Sequence, residues 1–537
     1  MVKAVDVKIG NNSFITRPST MTTVREVTLA LLDQLGMTTI FGNPGSTELP
    51  MFRDFPEHFR YILGLQESVV IGMADGFAQA TRNAAFVNLH SAAGLGHGLG
   101  NLFTACKNQT PLVVTAGQQA RSILPFEPFL FAERASEFPR PYVKYSVEPA
   151  RAEDVPAAIL RAYHIAMQPP SGPVFVSIPV DDWDRECAPL EATRVSRTLR
   201  GDAGMMADLA AVLSAASRPA FVVGAGVARD EAWNEVIALA EKHEASVFTA
   251  PMAARNGFPE DHRLFRGFLT AFREQIVAAL DSHDVILVLG APAFTYHAEG
   301  FGPHVPEGAK LYHVGDDPQA ASWLPTGCAI VTSLKPALAE LLDGDAPSRT
   351  TPPAKAPSPE LTGTPFTGDH VLQQLSRLRP ATSIIVEEAP SHREAMHDHL
   401  PIRLPDTFYT TASGGLGHGL PAAIGVALGR PGERVIALLG DGSTMYAVQG
   451  MWTAAQLGLP ILFLIMNNGR YEALHSFGRH FGLEHLQGTN LAGLDFVALA
   501  QGQGVPGIRV GDAQALDHAL ILAFALNSPM LIEVVID

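Results

Sequence analysis

Two short polar motifs in the last third of the chain have the residue types and spacing of a metal-bound phosphate site. Gly440-Asp441-Gly442-Ser443 directly follows an apolar run at 435–439, and Asn467-Asn468-Gly469 follows a second apolar run at 461–466. Carboxylate and amide oxygens are ligands that Mg²⁺ accepts, and Mg²⁺ usually shares its coordination shell with the phosphates of a ligand. The glycines allow a phosphate to approach the backbone closely. Together the motifs predict a site for a magnesium-bound diphosphate.

The elements around these motifs are predicted to be a strand, a helix and a second strand. Both apolar runs are typical of buried parallel strands, and the segment 446–457 between them has the length of a helix. Open parallel sheets bind ligands at the carboxyl ends of their strands, where both motifs lie. Asp-Gly and Asn-Gly are also common turn dipeptides. Because the two motifs are joined across one βαβ unit, the diphosphate site is favoured over two unrelated turns.

Glu67 is the second candidate for a chemical role. It follows a predicted strand at 61–65 and precedes a predicted helix at 68–81. A carboxyl group buried at a strand end tends to keep its neutral form and can then donate a hydrogen bond. The alternative is that Glu67 only begins the helix, where an acidic residue suits the helix dipole.

A serine and two histidines complete the candidates, each after a predicted strand. Ser46 lies in the loop 42–46, where its hydroxyl could cap a helix or bind a substrate carboxylate. His90 follows the strand 86–89 and faces a predicted glycine-rich loop at 91–98, so it could act as a general acid or be a structural residue. His297 follows the strand 285–289.

The composition excludes several classes of function. The chain has 537 residues, enough for roughly three to four domains, with 47% hydrophobic and 17% charged residues. A net charge of −16 argues against a nucleic-acid partner. No apolar run approaches the roughly 20 residues of a membrane helix, and residues 1–20 lack the apolar core of a signal peptide. We therefore expect a cytoplasmic protein without a membrane partner, whose three cysteines are reduced.

The predicted fold consists of three Rossmann-like, doubly wound α/β domains with mainly parallel sheets. The Pro-, Ser- and Thr-rich segment 345–368 has the composition of a linker. The pentapeptide LGHGL occurs at 95–99 and again at 416–420, which suggests that the first and third domains are related by duplication. The predicted boundaries are an N-terminal extension at 1–20, a first domain at 21–190, a middle domain at 200–344, the linker and a third domain at 369–537.

Seven motifs in one order give the chain a family resemblance. FGNPGSTELP, GLQES, NLHSAAG, GAPAFTYH, GGLGHGLPAAIG, GDGS and NNGRY span almost the whole sequence. This order resembles the thiamin diphosphate-dependent 2-oxoacid decarboxylases, and within them the benzoylformate decarboxylase group. The resemblance implies thiamin diphosphate and Mg²⁺ as cofactors. It also implies a homodimer or homotetramer, with each cofactor between the first domain of one subunit and the third domain of another.

The resemblance also implies a role for each matching residue. Glu67 would activate the cofactor, Leu416 would hold it in a bent conformation, and the Gly414 carbonyl would bind its amino group. Further cofactor contacts would come from Gly440, Asp441, Gly442, Ser443, Asn468 and Tyr471, with Asp441, Asn468 and the Arg470 carbonyl as metal ligands. Ser46 would bind the substrate carboxylate, and His90 and His297 would transfer protons. The substrate pocket would include Ala473, Leu474 and Phe477, whereas Thr410 stands where the group is expected to have an aromatic residue.

The function implied is non-oxidative decarboxylation of an aromatic 2-oxoacid, benzoylformate to benzaldehyde and CO2, with possible carboligation as a side activity. Two alternatives stay open on the same cofactor, an acetolactate-synthase-like carboligase and a decarboxylase of another 2-oxoacid. A third, of a different class, is a nucleotide-binding regulatory protein built on Gly224-Ala225-Gly226, a loop that lacks the third glycine of a dinucleotide fingerprint.

Overall fold

The computed structural model describes residues 22–536, so the predicted extension at 1–20 lies outside the described residues. Three six-stranded sheets follow one another along the chain, and every strand pair within them is parallel. Their central strands are continuous buried apolar runs, because helices cover both faces of each sheet. The predicted fold class is confirmed.

The first sheet has the strand order β3-β2-β4-β5-β7-β6. A short antiparallel pair, β1 with β8, lies beside it. In chain order the elements of this part are β1 (Thr22–Thr23), α1 (Val24–Gln34), β2 (Thr39–Gly42), β3 (Arg60–Leu63), α2 (Glu67–Thr81), β4 (Ala85–Leu89), α3 (Ser91–Asn108), β5 (Leu112–Gln118), β6 (Ser146–Val147), α4 (Val155–Met167), β7 (Val174–Pro179) and β8 (Glu186–Cys187).

The middle sheet has the order β11-β10-β9-β12-β13-β14, which is the 3-2-1-4-5-6 order of dinucleotide-binding folds. Its elements are α5 (Ala203–Ala215), β9 (Pro219–Val223), α6 (Ala225–Arg229), α7 (Trp233–His243), β10 (Ser246–Thr249), β11 (Phe265–Phe268), α8 (Arg273–Leu280), β12 (Val285–Leu289), β13 (Lys310–Gly315), α9 (Pro318–Ser322), β14 (Cys328–Val331) and α10 (Leu334–Leu341).

At the point where this strand order reverses, the turn after β9 packs directly on the turn after β12. The Gly226 amide donates to the Gly290 carbonyl at 2.9 Å, and a Cβ on Gly224 would lie 2.4 Å from the Ala291 side chain. A dinucleotide would enter at this reversal point. The close packing therefore disfavours the nucleotide-binding alternative.

The third sheet has the order β16-β15-β17-β18-β20-β19. Its elements are α11 (Gly368–Leu378), β15 (Ile384–Glu388), α12 (Arg393–His399), β16 (Phe408–Tyr409), α13 (Gly419–Gly429), β17 (Val435–Gly440), α14 (Asp441–Met445), α15 (Gly450–Gln456), β18 (Ile461–Asn467), α16 (Glu472–His480), α17 (Phe496–Gly502), β19 (Gly507–Val510), α18 (Ala513–Ala525) and β20 (Met530–Val535).

The first and third sheets have the same topology. Counted from the first strand of each sheet, both have the order 2-1-3-4-6-5, which agrees with the predicted duplication. The repeated LGHGL does not contribute to that agreement. Its first copy lies inside α3, after the third strand, whereas its second copy leads into α13, before the third strand.

The two equivalent helices, α2 and α13, pack against each other and join the first and third domains through one apolar core. Glycines allow their backbones to come close. A Cβ on Gly425 would lie 1.9 Å from the Met73 carbonyl oxygen, and a Cβ on Gly76 would lie 2.2 Å from the Ala422 carbonyl oxygen. At these two positions a larger residue would push the helices apart.

Two local predictions are wrong. The segment 446–457 is not one helix, because α14 begins already at Asp441 and a turn at 446–449 separates it from α15. The glycine-rich segment 91–98 is not a loop but the start of α3, in which small residues pack against α2. The predicted domain boundaries stay predictions. Between 342 and 367 the structure has neither helix nor strand.

The three cysteines, Cys106, Cys187 and Cys328, are free thiols. Over residues 22–536, none of the helices is long and apolar enough to cross a membrane.

Candidate active site

The first group of predicted site residues lies at the carboxyl edge of the first sheet. Ser46 follows β2, Glu67 follows β3 and His90 follows β4, and β2 pairs with both neighbours. Because all three strands are parallel, their carboxyl ends meet at one edge.

His90 is held by a buried carboxylate, Glu48. The Glu48 side chain is 1% exposed, and its Oε2 lies 2.8 Å from His90 Nδ1. It also accepts hydrogen bonds from the amides of Gly45 and Gly117 and from the Thr47 hydroxyl. A carboxylate only accepts hydrogen bonds, so His90 Nδ1 carries the hydrogen. The other ring nitrogen, Nε2, is then left for proton transfer.

Glu67 is the first residue of α2 and is 7% exposed. Asn43 donates to its Oε1 at 3.1 Å, and His97 Nδ1 lies 3.2 Å from its Oε2. Glu67 thus begins the helix, and its side chain is a buried carboxyl group with specific polar neighbours. The two interpretations of its sequence position are compatible.

Ser46 caps no α-helix. It lies in an exposed turn before the short 3-10 helix Leu49–Phe52. The preceding residue is in contact with the candidate proton donor, because a Cβ on Gly45 would lie 2.3 Å from the His90 ring. The exposed hydroxyl therefore sits next to a loop that packs on His90.

The second group lies at the carboxyl ends of β17 and β18, which are neighbours in the third sheet. Asp441 Oδ2 and Asn468 Oδ1 both accept a hydrogen bond from the Arg470 amide, each at 3.2 Å. Asp441 is 5% exposed, and this burial raises the pKa of its carboxyl group despite several backbone hydrogen bonds that lower it. The shared donor places the Asp441 carboxylate and the Asn468 amide oxygen side by side, and oxygens of these two types are ligands that a small divalent cation accepts.

The structure separates the roles of the two adjacent asparagines. Asn467 donates to the buried Glu533 at 2.7 Å and accepts from the Gly469 amide at 3.0 Å, so its side chain shapes the turn. Asn468 is the one whose oxygen points to the same amide as Asp441. Asn468 therefore stays the predicted ligand of the two.

The other residues predicted to contact the cofactor surround Asp441. Gly440 caps α14, and the Ser443 side chain is 5% exposed. Tyr471 packs across Gly442, where a Cβ would lie 2.2 Å from its ring. Only glycine fits at that position without displacing the tyrosine.

Gly414 and Leu416 lie in the loop before α13. Gly414 has a φ of +71° and is exposed, which suits a carbonyl that is free to face a ligand. The loop is anchored by Glu388, at the end of β15. This carboxyl group is fully buried, and burial raises its pKa even though the amides of Gly417 and Gly419 donate to it.

Two of the predicted substrate residues, His297 and Phe477, belong to an aromatic cluster between the middle and third domains. The ring centroids of His297 and Phe477 are 4.3 Å apart, and Phe272 lies 6.1 Å from Phe477. Ala473 and Leu474 lie on the same helix, α16, as Phe477.

Thr410 has a polar role. It donates to the buried Glu387 at 2.7 Å and accepts from Arg393 at 3.0 Å. A phenylalanine at this position could not join that network, because it has no polar atom.

Within residues 22–536, no hydrogen bond or ion pair joins Glu48, Glu67 or His90 to Asp441 or His297. The predicted site residues thus lie on all three domains, with Glu67 and His90 on the first, His297 on the middle one and Asp441 on the third.

Comparison with known proteins identifies the family and its three domains. Three family descriptions match in order: "Thiamine pyrophosphate enzyme, N-terminal TPP binding domain" over residues 22–133, the central domain over 206–341 and the C-terminal TPP binding domain over 389–534. The chain is also 42% identical over 521 residues to a benzoylformate decarboxylase of Pseudomonas aeruginosa, covering 96% of this chain and 99% of that protein. The chain belongs to the thiamine pyrophosphate enzymes. Within them it belongs to the benzoylformate decarboxylase family.

Solved structures agree with this family. The benzoylformate decarboxylase of Polynucleobacter necessarius has a TM-score of 0.94 and is 40% identical, covering 96% of this chain and 99% of that one. A thiamine diphosphate-dependent 4-hydroxybenzoylformate decarboxylase of Rhodococcus jostii RHA1 has a TM-score of 0.93 at the same identity and coverage. The predicted family and cofactor class are confirmed.

Sequence reasoning missed several residues of the site. Glu48, Asn43 and His97 contact the candidate catalytic side chains, and Glu388 anchors the Leu416 loop. Asn43 and Glu48 both lie within the motif FGNPGSTELP, and His97 lies within the repeated LGHGL, so these motifs offered a signal. Glu388 could be found only from its contact with the distant Gly417 amide.

Among the described residues no cluster of three or more His, Cys, Asp or Glu side chains could hold a metal ion. A Mg²⁺ ion that shares its coordination shell with ligand phosphates needs only one or two carboxylates from the protein. Asp441, with Asn468 beside it, is the candidate for that contribution.

Proposed function

We propose that the chain is a thiamin diphosphate- and Mg²⁺-dependent decarboxylase that converts an aromatic 2-oxoacid, benzoylformate, into benzaldehyde and CO2. The observation that carries the proton-transfer part of this proposal is the Glu48–His90 pair, which fixes one imidazole tautomer at the same sheet edge as Glu67. The named substrates of its relatives, benzoylformate and 4-hydroxybenzoylformate, support an aromatic substrate.

Each residue group would have one task. When bound, thiamin diphosphate would supply a thiazolium ring, whose carbon would bond to the keto carbon and which would accept the electron pair left by CO2. Glu67 would donate a hydrogen bond to the pyrimidine ring, and Leu416 and the Gly414 carbonyl would hold the bent conformation. Asp441, Asn468 and the Arg470 carbonyl would hold Mg²⁺, with Gly440, Gly442, Ser443 and Tyr471 around the diphosphate.

On the substrate side, the Ser46 hydroxyl would bind the carboxylate. His90 would move a proton through Nε2, with Glu48 stabilising the charged ring when it forms. His297 would serve the second proton transfer, and Phe477 with Ala473 and Leu474 would enclose the phenyl ring.

The family resemblance, in which each cofactor lies between the first domain of one subunit and the third domain of another, supports a homodimer or homotetramer. Glu67 and His90 of one subunit would meet Asp441 and the Leu416 loop of another, so that a cofactor lies at each subunit interface. Free cysteines and the absence of a membrane-spanning helix over residues 22–536 are compatible with a cytoplasmic enzyme.

A panel of 2-oxoacids tests the function. The purified chain, with thiamin diphosphate and Mg²⁺, should release CO2 faster from benzoylformate and 4-hydroxybenzoylformate than from pyruvate. As the matched control, Glu67→Gln keeps the size of the side chain but removes its acidic hydrogen, so it should bind the cofactor and lose most turnover. Absence of cofactor binding would refute the proposal, and acetolactate formed from pyruvate as the main product would favour the carboligase alternative.

A further inference from the structure

One buried amide connects the two segments that carry Glu67 and Leu416. Asn101, in α3, is 2% exposed. Its Nδ2 donates to the Ser68 carbonyl at 2.7 Å and to the Gly417 carbonyl at 3.1 Å. Ser68 directly follows Glu67, and Gly417 directly follows Leu416. Both amide hydrogens are therefore used, one for each segment.

The Gly417 backbone has little freedom. Its φ is +94°, and a Cβ would lie 2.7 Å from the Tyr446 Cβ. Its amide, which belongs to the same peptide plane as the Leu416 carbonyl, donates to Glu388 at 2.6 Å. With the Gly417 carbonyl bound by Asn101, the peptide groups on both sides of this glycine are fixed. The direction in which Leu416 leaves the loop is fixed with them.

The other end of the connection is the first turn of α2. Glu67 and Ser68 are the first two residues of that helix. Asn101, on α3, donates to this turn and also to the Gly417 loop of the third domain. Its hydrogen bond to the Ser68 carbonyl therefore sets the position of the turn relative to the third domain. A shift of the turn by about 1 Å would move the Glu67 carboxyl out of hydrogen-bond range of a ring nitrogen.

We propose that Asn101 is a positioning residue for cofactor activation, which holds Glu67 and Leu416 at a fixed separation. This inference rests on the proposed function, in which those two residues act on thiamin diphosphate. In the proposed dimer, Glu67 and Leu416 of one chain face different cofactors. The Asn101 side chain would therefore position one residue in each of two active sites.

The test compares Asn101→Leu with Asn83→Ala in the full chain with thiamin diphosphate and Mg²⁺. Leucine has nearly the shape of asparagine but donates no hydrogen bond. Asn83 is the control, since it also makes two hydrogen bonds within the first domain, to Leu35 and Tyr163, away from both segments. The readouts are the thermal midpoint, kcat with benzoylformate and hydrogen–deuterium exchange at the cofactor C2.

We expect Asn101→Leu to slow C2 exchange and kcat by roughly tenfold or more, with a much smaller change in KM. Asn83→Ala should lower the thermal midpoint and leave the exchange rate unchanged. If Asn101→Leu does not fold, Asn101→Ser, which keeps one donor, replaces it in the same comparison. Exchange and kcat within twofold of the unchanged protein would overturn the inference. Absence of C2 exchange in the unchanged protein would overturn the proposed function, and this inference with it.

Discussion

Removing the charge of Asp75 should destabilise the junction between the first and third domains in a pH-dependent way. Asp75 Oδ2 lies 2.8 Å from His418 Nε2, and the side chains are 0% and 1% exposed. Asp75 also accepts hydrogen bonds from Gln79, Asn108 and Thr110. The pair joins α2 to the residue that precedes α13, two residues after Leu416.

The pKa values of both groups shift in the direction that favours the ion pair. Burial alone would raise the pKa of Asp75, but the His418 charge and the hydrogen bonds bring it below its usual value. Burial alone would lower the pKa of His418, but Asp75 raises it above its usual value. Asp75→Asn leaves the imidazole buried without its counter-charge. Breaking a buried pair in this way costs about 3–5 kcal/mol.

The pH dependence follows from the two directions. Because the pKa of His418 is raised on folding, this group contributes its full stabilisation at pH values below its ordinary pKa of 6.5. That contribution is lost as the pH rises through the pKa of His418 in the folded protein. The lowered pKa of Asp75 contributes above 3.8 and is lost as pH falls through its folded value. In Asp75→Asn, burial lowers the pKa of His418 instead. The penalty should therefore grow by up to about 1.4 kcal/mol for each pH unit below 6.5.

Urea unfolding of Asp75→Asn, His418→Gln and the double variant at pH 5.5 and pH 8 measures this. The single variant Asp75→Asn should unfold at a clearly lower urea concentration, more so at pH 5.5, and the double variant should be less destabilised than the sum of the singles. A penalty below about 1 kcal/mol at both pH values, or one that is larger at pH 8, would refute the reasoning.

Three further outcomes are expected. Glu48→Gln should reduce kcat roughly ten- to a hundredfold, because it weakens the hydrogen bond that holds His90 Nδ1. Calorimetric titration should show unchanged cofactor binding. A kcat equal to that of the unchanged protein would contradict the role of the Glu48–His90 pair. Gly425→Ala should destabilise the chain by about 3 kcal/mol in urea unfolding, since its Cβ would meet backbone atoms of α2. Gly100→Ala is the control, because Gly100 is an exposed helical glycine whose Cβ would meet no other atom within 4 Å. Phe477→Ala should raise KM for benzoylformate roughly tenfold and leave KM for pyruvate little changed; an equal change for both acids would remove Phe477 from the phenyl pocket.

Much of the site was predictable because parallel sheets bind ligands at the carboxyl ends of their strands. Asp441, Asn468, Glu67 and His90 each come directly or nearly directly after a buried apolar run, and the structure places each at a carboxyl edge. The alternation of such runs with helix-length segments also predicted the three parallel sheets.

Partners that lie far apart in sequence could not be predicted in this way. The Asp75–His418 pair spans 343 residues and the Asn101–Gly417 bond spans 316. No local pattern signals either contact. The split of the segment 446–457 was missed for a different reason, because helix period does not show where a turn interrupts two short helices.

The repeated LGHGL shows how the same letters can serve two different environments. In the first copy His97 lies on a helix, is 67% exposed and contacts Glu67. In the second copy His418 is fully buried and pairs with Asp75. The first and third domains instead share their strand order, and each provides a glycine where α2 packs against α13. That packing joins the first and third domains of the chain into one apolar core, and this core fixes the positions of Glu67 and Asp441 relative to each other.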